Sequence, residues 1–367
     1  MLEKGKITSI QAILLMLSMI LPTAVLTVPA VTVKSARQDA WLSIIIATLG
    51  GLLIAWLVVS LSLRFPGKTL FEYMEEILGK GLGKMVSFLY IWLYFLTIGS
   101  GVVREFGSFL VTVLMPDTPI IVFHIVVVIV AAYAVRNGLE VLSRANQLLI
   151  PTTVLLAMVY ILSTGNMKFS RLLPFFDAGL LPIVKGAFVP TMWLGEIITL
   201  TMIIPYLNKP KEAHRVAVLS VLLVSFFLTA SILEVLLIFG PDLTGNWIFP
   251  VFNAARLITV GNSLERLETV IVLAWILGGF FKIGVFYYAA VLGSAQLLEL
   301  RDYRPLVLPV GIILVALSIL QWGESIVDML HFITKVYVPM LLIIFEVGIP
   351  LVLMIVAMAR RKGGKKA

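Results

Sequence analysis

The chain has 367 residues, 60% of them hydrophobic and only 13% charged, with a formal net charge of +8 and a mean hydropathy of +1.07. So much apolar side chain cannot be hidden inside a water-soluble fold of this size, which excludes a soluble protein and makes lipid the expected solvent. The positive charge does not point to nucleic acid, because the basic residues sit in short clusters between apolar runs rather than in a stripe interleaved with aromatics. There is no cysteine, so disulfides and thiolate metal sites are ruled out. The scattered His124, His214 and His331 argue against a metal centre, and no cofactor is expected. No phosphate loop and no H-E-x-x-H occurs, and the glycine-rich Gly79–Gly83 lies in a basic interfacial stretch. Neither an enzyme nor an ATP-driven pump is therefore expected. No cleavable signal peptide is expected either, because Ala12–Val33 is followed by further apolar runs.

In chain order, with roughly 20 apolar residues needed per helical crossing, about ten spans are expected. They lie near 9–33, 41–63, 85–114, 119–135, 147–163, 182–206, 216–240, 267–298, 306–321 and 336–358. Two stretches read as interfacial, Thr69–Lys84 and the region around Asn246–Asn262. The whole chain, 1–367, then forms one polytopic membrane domain ending in a basic tail, 359–367. If the N-terminus is cytoplasmic, 18 lysines and arginines fall in inside loops and termini and 8 in outside loops, leaving Arg104 and Lys282 within spans. This bias places both termini in the cytoplasm.

Ten spans divide into half-repeats of about 9–163 and 182–358, and an odd number per half inverts the second across the membrane. The first span of each half carries helix breakers: Pro22 and Pro29 in one, Pro190, Gly195 and Pro205 in the other. The third span of each half is unusually long. Interrupted segments at corresponding positions point to a transporter's central binding site, because freed backbone groups near the midplane need protein or a polar ligand to satisfy them. The plainer alternative is that these prolines only kink packed helices.

Ionisable groups within spans cost about 3 kcal/mol or more when unpaired, which makes each a functional candidate. They are Arg104, Glu105, Glu196, Glu234, Lys282 and Glu346. Glu196 follows Trp193, Leu194 and Gly195 at the second break, where a carboxylate, an aromatic face and free backbone coincide. It could hold an amino group or a proton. Lys282 on the eighth span needs a partner, and Glu196 is one choice, either as a bundle-locking pair or as part of a site. Tyr94, Ile98, Gly101 and Glu105 recur at i, i+4, i+7 and i+11 and share a face, with close helix packing the plainer role for Gly101. Arg104 reads as structural, and packing or end-of-helix solvation is the expected role of Glu234 and Glu346.

Several strings in order resemble the spore germination permease family, the B subunits of nutrient germinant receptors, which is similar to distant members of the amino acid–polyamine–organocation superfamily. They include L-x-x-x-x-L-T-V-P (Leu21–Pro29), D-A-W-L-S (Asp39–Ser43), R-F-P-G-K-T-L-F-E-Y (Arg64–Tyr73) and L-G-E (Leu194–Glu196) with P-Y-L-N-K-P (Pro205–Pro210). E-R-L-E (Glu265–Glu268) with Trp275 and Phe281–Lys282 follows. The resemblance implies an all-α integral membrane fold with a five-plus-five inverted repeat of the LeuT and amino-acid-permease type. It implies a ligand pocket among Leu21, Thr23, Ala24, Val25, Tyr94, Ile98, Trp193, Leu194, Gly195, Glu196, Lys282 and Phe286. Where the superfamily commonly has G-x-G in the first span, this chain has Pro22, Thr23 and Ala24, implying a smaller pocket or a different ligand. The function implied is a receptor subunit in the bacterial inner spore membrane. It would bind a small solute, an amino acid by preference, and signal to other receptor subunits. A proton-coupled amino acid transporter is the competing reading, and an ion channel has less support because no filter-like segment is present.

Overall fold

In the computed structural model, residues 2–3, 5–149, 151, 160–161, 163–177, 179–257, 268–323 and 325–363 are described. Among them the chain is almost wholly helical, and the one β feature is an isolated bridge between Ile7 and Leu207. Six helical runs are long and apolar enough to cross a bilayer, or seven if the sharply bent pair Ile120–Arg136 and Leu139–Leu149 counts as one span. The first run contains two helices, Ser9–Ala36 and Ala40–Leu63. Helix occupies every expected span position except the fifth, most of which (152–159) lies outside the described residues. So do Glu265, Arg266 and the chain ends at Lys4, Lys365 and Lys366. Expected spans are referred to below as spans 1–10.

Two expectations change. Span 1 is not broken: Ser9–Ala36 is one helix running through Pro22 and Pro29. A proline inside a helix removes one N–H and leaves one carbonyl unpaired four residues earlier, and the packed neighbours of this buried helix hold it together nonetheless. The helix of span 3 starts before its expected boundary at 85: Lys80–Lys84 begins the 34-residue run Lys80–Val113. Only Leu70–Leu78, capped by Thr69 and Glu72, is a separate short amphipathic helix there. Its first-turn geometry is the reciprocal capping box that T-x-x-E encodes. In the second interfacial stretch, Pro250–Arg256 is helical, and 258–262 lies outside the description.

The packing follows the expected internal symmetry. Span 1 lies against span 7 (Ala213–Asn246), and span 2 against span 6 (Leu180–Gly195 and its continuation). Under inversion those two pairings are equivalents. Spans 3, 4, 8 and 9 form a second group, with span 3 on span 9 (Val307–Leu320) and span 4 (Ile120–Arg136) on span 8 (Glu268–Leu297). The two groups meet where span 1 crosses span 8. The closest approach there depends on Gly278, because a Cβ would sit 2.1 Å from Pro22 Cγ. At the end of span 6, Ile7 N–H donates to Tyr206 O at 2.9 Å and Lys6 Nζ to Pro205 O at 2.8 Å, tying the N-terminal segment to it.

Candidate functional site

The seat of Pro22 on Gly278 brings Thr23 of span 1 to Lys282, one helical turn further along span 8. Lys282 Nζ donates to Thr23 Oγ1 at 2.8 Å and to both carboxylate oxygens of Glu196, at 2.7 and 2.8 Å. An ammonium has three N–H donors, and all three are used. Trp193 Nε1 adds a hydrogen bond to Thr23 Oγ1 at 3.2 Å. Lys282 and Glu196 are each 1% exposed. A charge buried this deeply is tolerated only when paired and hydrogen-bonded, and this pair meets that condition.

Glu196 is placed by a change of helix type. Span 6 is α-helical to Gly195, winds as a 3-10 helix over Glu196–Met202, and turns again at Ile204–Tyr206. The interruption expected in span 6 therefore falls at Glu196, as tightened helix rather than unwound chain. The opposite change occurs in two neighbours. Span 3 is π-helical over Ile91–Leu96 and span 10 over Leu341–Gly348, and π segments inside longer helices recur at functional sites. Tyr94 OH in the first donates to Glu346 Oε1 in the second at 2.9 Å. Glu346 is fully buried, and its Oε2 has no hydrogen-bond partner among the described residues. It rests on Gly195, where a Cβ would lie 1.9 Å from that oxygen.

A narrow cavity of about 40 Å³ opens beside the ion pair, where spans 1, 3, 6, 8 and 10 converge. Of the expected ligand residues it brings together Thr23, Ile98, Trp193, Glu196 and Lys282. Leu21 and Val25 lie on the other side of span 1, in an apolar crevice with Trp275. Leu194 packs on Gly51 of span 2, and Ala24 is buried in the core. Tyr94, Phe286 and Gly195 sit in the adjoining layer around Glu346, the two rings 6.2 Å apart. Larger recesses exist elsewhere. The one between spans 4 and 9, about 570 Å³, is walled by exposed aliphatics such as Ile129 and Ile312, which suits lipid rather than a polar solute.

The structure adds lining residues that sequence reasoning did not place in the pocket. Gly101 and Glu105 come from the predicted face of span 3, Val102 from beside it, and Met192 from span 6. Trp322, Met329, Ile333, Tyr337 and Leu341 come from span 10 and the segment before it. Trp322 is fixed by a hydrogen bond from Nε1 to Ser100 Oγ at 3.0 Å and by packing on Gly101, where a Cβ would be 2.8 Å from its ring. Arg104 donates to Gly323 O at 2.8 Å, so its role is to hold this segment down. No group of three or more metal-ligating side chains occurs among the described residues.

Two helix groups, each built from equivalent spans of the two inverted halves, with a buried polar site between them, define the architecture of a LeuT-type transporter. MhsT, solved in complex with L-phenylalanine, has this fold: TM-score 0.65 over 99% of this chain and 91% of that one, at 16% identity. The spore germination protein family matches residues 6–326, and the chain belongs to that family. Spore germination protein KB of Bacillus subtilis (strain 168) is 31% identical over 375 residues, covering 100% of this chain and 98% of the relative. Spore germination protein YndE of the same organism is 25% identical, covering 98% and 99%.

Proposed function

We propose that this chain is the ligand-sensing membrane subunit of a nutrient germinant receptor. It binds a small solute, an amino acid by preference, in the central cavity and passes a conformational signal to partner subunits. It sits in the inner spore membrane with both termini cytoplasmic. The observation that carries this reading is the Lys282–Glu196–Thr23 cluster beside a cavity at the junction of spans 1, 3, 6, 8 and 10. Family membership supports the germination role, and the L-phenylalanine named with MhsT supports an amino acid. The fold is a permease fold rather than that of an enzyme family. At about 40 Å³ the cavity holds a few waters, each needing roughly 10–15 Å³ on this measure, so ligand entry must widen it. That expansion is the conformational signal. A thermal-shift screen of the purified protein against amino acids, sugars and nucleosides tests the reading. An amino acid that stabilises the wild type but not Lys282→Met supports it, and stabilisation by a sugar or nucleoside alone removes the amino acid.

The second reading is a proton-coupled amino acid transporter. The observation favouring it is a surplus of buried acid: Glu105 and Glu346, each with an unpartnered oxygen, adjoin a pair that is already balanced. Solute uptake by proteoliposomes driven by a pH gradient would support it. Ligand binding without uptake leaves the receptor.

A further inference from the structure

We infer that Glu105, rather than Glu196, is the acceptor for an ammonium group of the ligand, so that the central cavity selects small organic amines by their N–H donors. This rests on the central-cavity reading given above. Glu196 is already paired with Lys282, whose Nζ donates to both its oxygens, so a ligand ammonium there would share a carboxylate whose charge is already balanced. Glu105 lines the same cavity, is 6% exposed, and its Oε1 has no hydrogen-bond partner among the described residues. Among the cavity's polar groups the N–H donors are spent, and the hydroxyls of Thr23 and Tyr337 already accept hydrogen bonds. The three N–H of Lys282 are used, and the indoles of Trp193 and Trp322 donate to Thr23 and Ser100. What the site offers a ligand is an unpartnered carboxylate oxygen. The three ionisable groups facing the cavity, Glu105, Glu196 and Lys282, sum to one negative charge when all are ionised, which one ligand ammonium balances.

The rest of the lining separates an organic ammonium from a metal cation. A hard cation needs about six oxygen ligands, whereas Glu105 looks onto Ile98, Val102, Trp193, Trp322 and Tyr337. Aromatic side chains attract an organic ammonium where water is excluded, and they accommodate its alkyl part as well. The amino group of an amino acid is therefore its recognised end, and Lys282 stays with Glu196 when the ligand is bound.

The experiment is a thermal-shift titration of the full chain in lipid nanodiscs at fixed ionic strength. The probes are methylammonium, ethylammonium, tetramethylammonium, propionate, glucose, sodium and potassium. Methylammonium and ethylammonium should raise the melting temperature, while tetramethylammonium, which has no N–H, should not. Glu105→Gln should weaken the ethylammonium response at least tenfold, Glu105→Asp should keep part of it, and Glu234→Gln, at a buried carboxylate outside the cavity, should leave it intact. The inference falls if neither primary ammonium shifts the wild type or if Glu105→Gln responds as the wild type does. It also falls if sodium or potassium matches the amines. The wild-type probe series decides even if Glu105→Gln does not fold. A shift with propionate or glucose but no amine would keep the binding function and remove the Glu105 assignment, which separates the two failures.

Discussion

Replacing Lys282 with methionine keeps the length of the side chain and removes its three donors. Glu196, 1% exposed, then has both oxygens stripped of their partner in a water-poor interior. Breaking a buried pair from one side costs about 3–5 kcal/mol, whereas removing both charges is often close to neutral. The double variant Glu196→Gln/Lys282→Met should therefore be more stable than Lys282→Met alone, with a coupling energy of about 2–4 kcal/mol from that asymmetry. The magnitude also reports the charge state. Neutral hydrogen bonds between membrane helices average about 0.6 kcal/mol in such cycles, so a coupling that small would mean that the proton has passed from Lys282 to Glu196. Equilibrium unfolding in mixed micelles, with all four proteins under one condition, measures it. Additive losses would refute the pairing and give each residue a different partner.

Three further outcomes follow from the geometry. Gly195→Ala pushes a methyl into Glu346, where the Cβ would lie 1.9 Å from Oε2; overpacking of this kind costs about 1–3 kcal/mol, so the melting temperature should fall, and an unchanged one would remove Glu346 from this contact. In the loop after span 8, hydrogen bonds from Lys80 and then Lys84 hold Glu299 down at about 2 from its ordinary 4.5. A depressed carboxylate stabilises above its unfolded pKa and loses that contribution as pH falls through the folded one. The distance between spin labels at positions 81 and 298 should therefore stay fixed at pH 7 and lengthen as pH falls from about 4.5 toward 2; a label pair indifferent to pH would refute the contact. A periplasm-type reporter fused after Ala367 should be inactive, as the loop charge bias requires, and activity there would overturn the orientation.

Apolar run length and helix breakers made the fold class legible, because a bilayer fixes both the length of a crossing and the satisfaction of its backbone. The i, i+4, i+7, i+11 face of span 3 was legible too, since Ile98, Gly101 and Glu105 all reach the cavity. The Glu196–Lys282 contact could be read from the need of a buried ammonium for a partner. Other features could not be read. Proline content does not say whether a helix breaks or continues, and span 1 continues. One residue's offset decides which side of a helix faces the site, so Thr23 reaches the cavity while Leu21 and Val25 face Trp275. Trp322 lies between spans 9 and 10, and Met329 lies ahead of the expected start of span 10 at 336, although Met329, Ile333, Tyr337 and Leu341 recur every four residues along one helical run. That Glu346 meets Tyr94 could not be read either, because both lie in π segments, whereas sequence spacing assumes a regular α-helix.

The carboxylates of this bundle are positioned by changes of winding rather than by open breaks. A 3-10 segment is narrower and longer per residue than an α-helix, and a π segment is wider and shorter. Span 6 tightens at the residue where spans 3 and 10, facing it, loosen. The three changes meet on one line of contacts: Tyr94 to Glu346, Glu346 to Gly195, and Gly195 by covalent bond to Glu196, which holds Lys282. Every link is a close approach or a hydrogen bond between buried atoms. Displacing Glu196 therefore moves the surface on which Glu346 rests, and with it span 10. Span 10 and the segment before it also supply Trp322 and Tyr337, which line the cavity with Lys282. On the proposed function, opening the cavity for a ligand and shifting span 10 would be one motion, with the π and 3-10 segments as the elements that change winding.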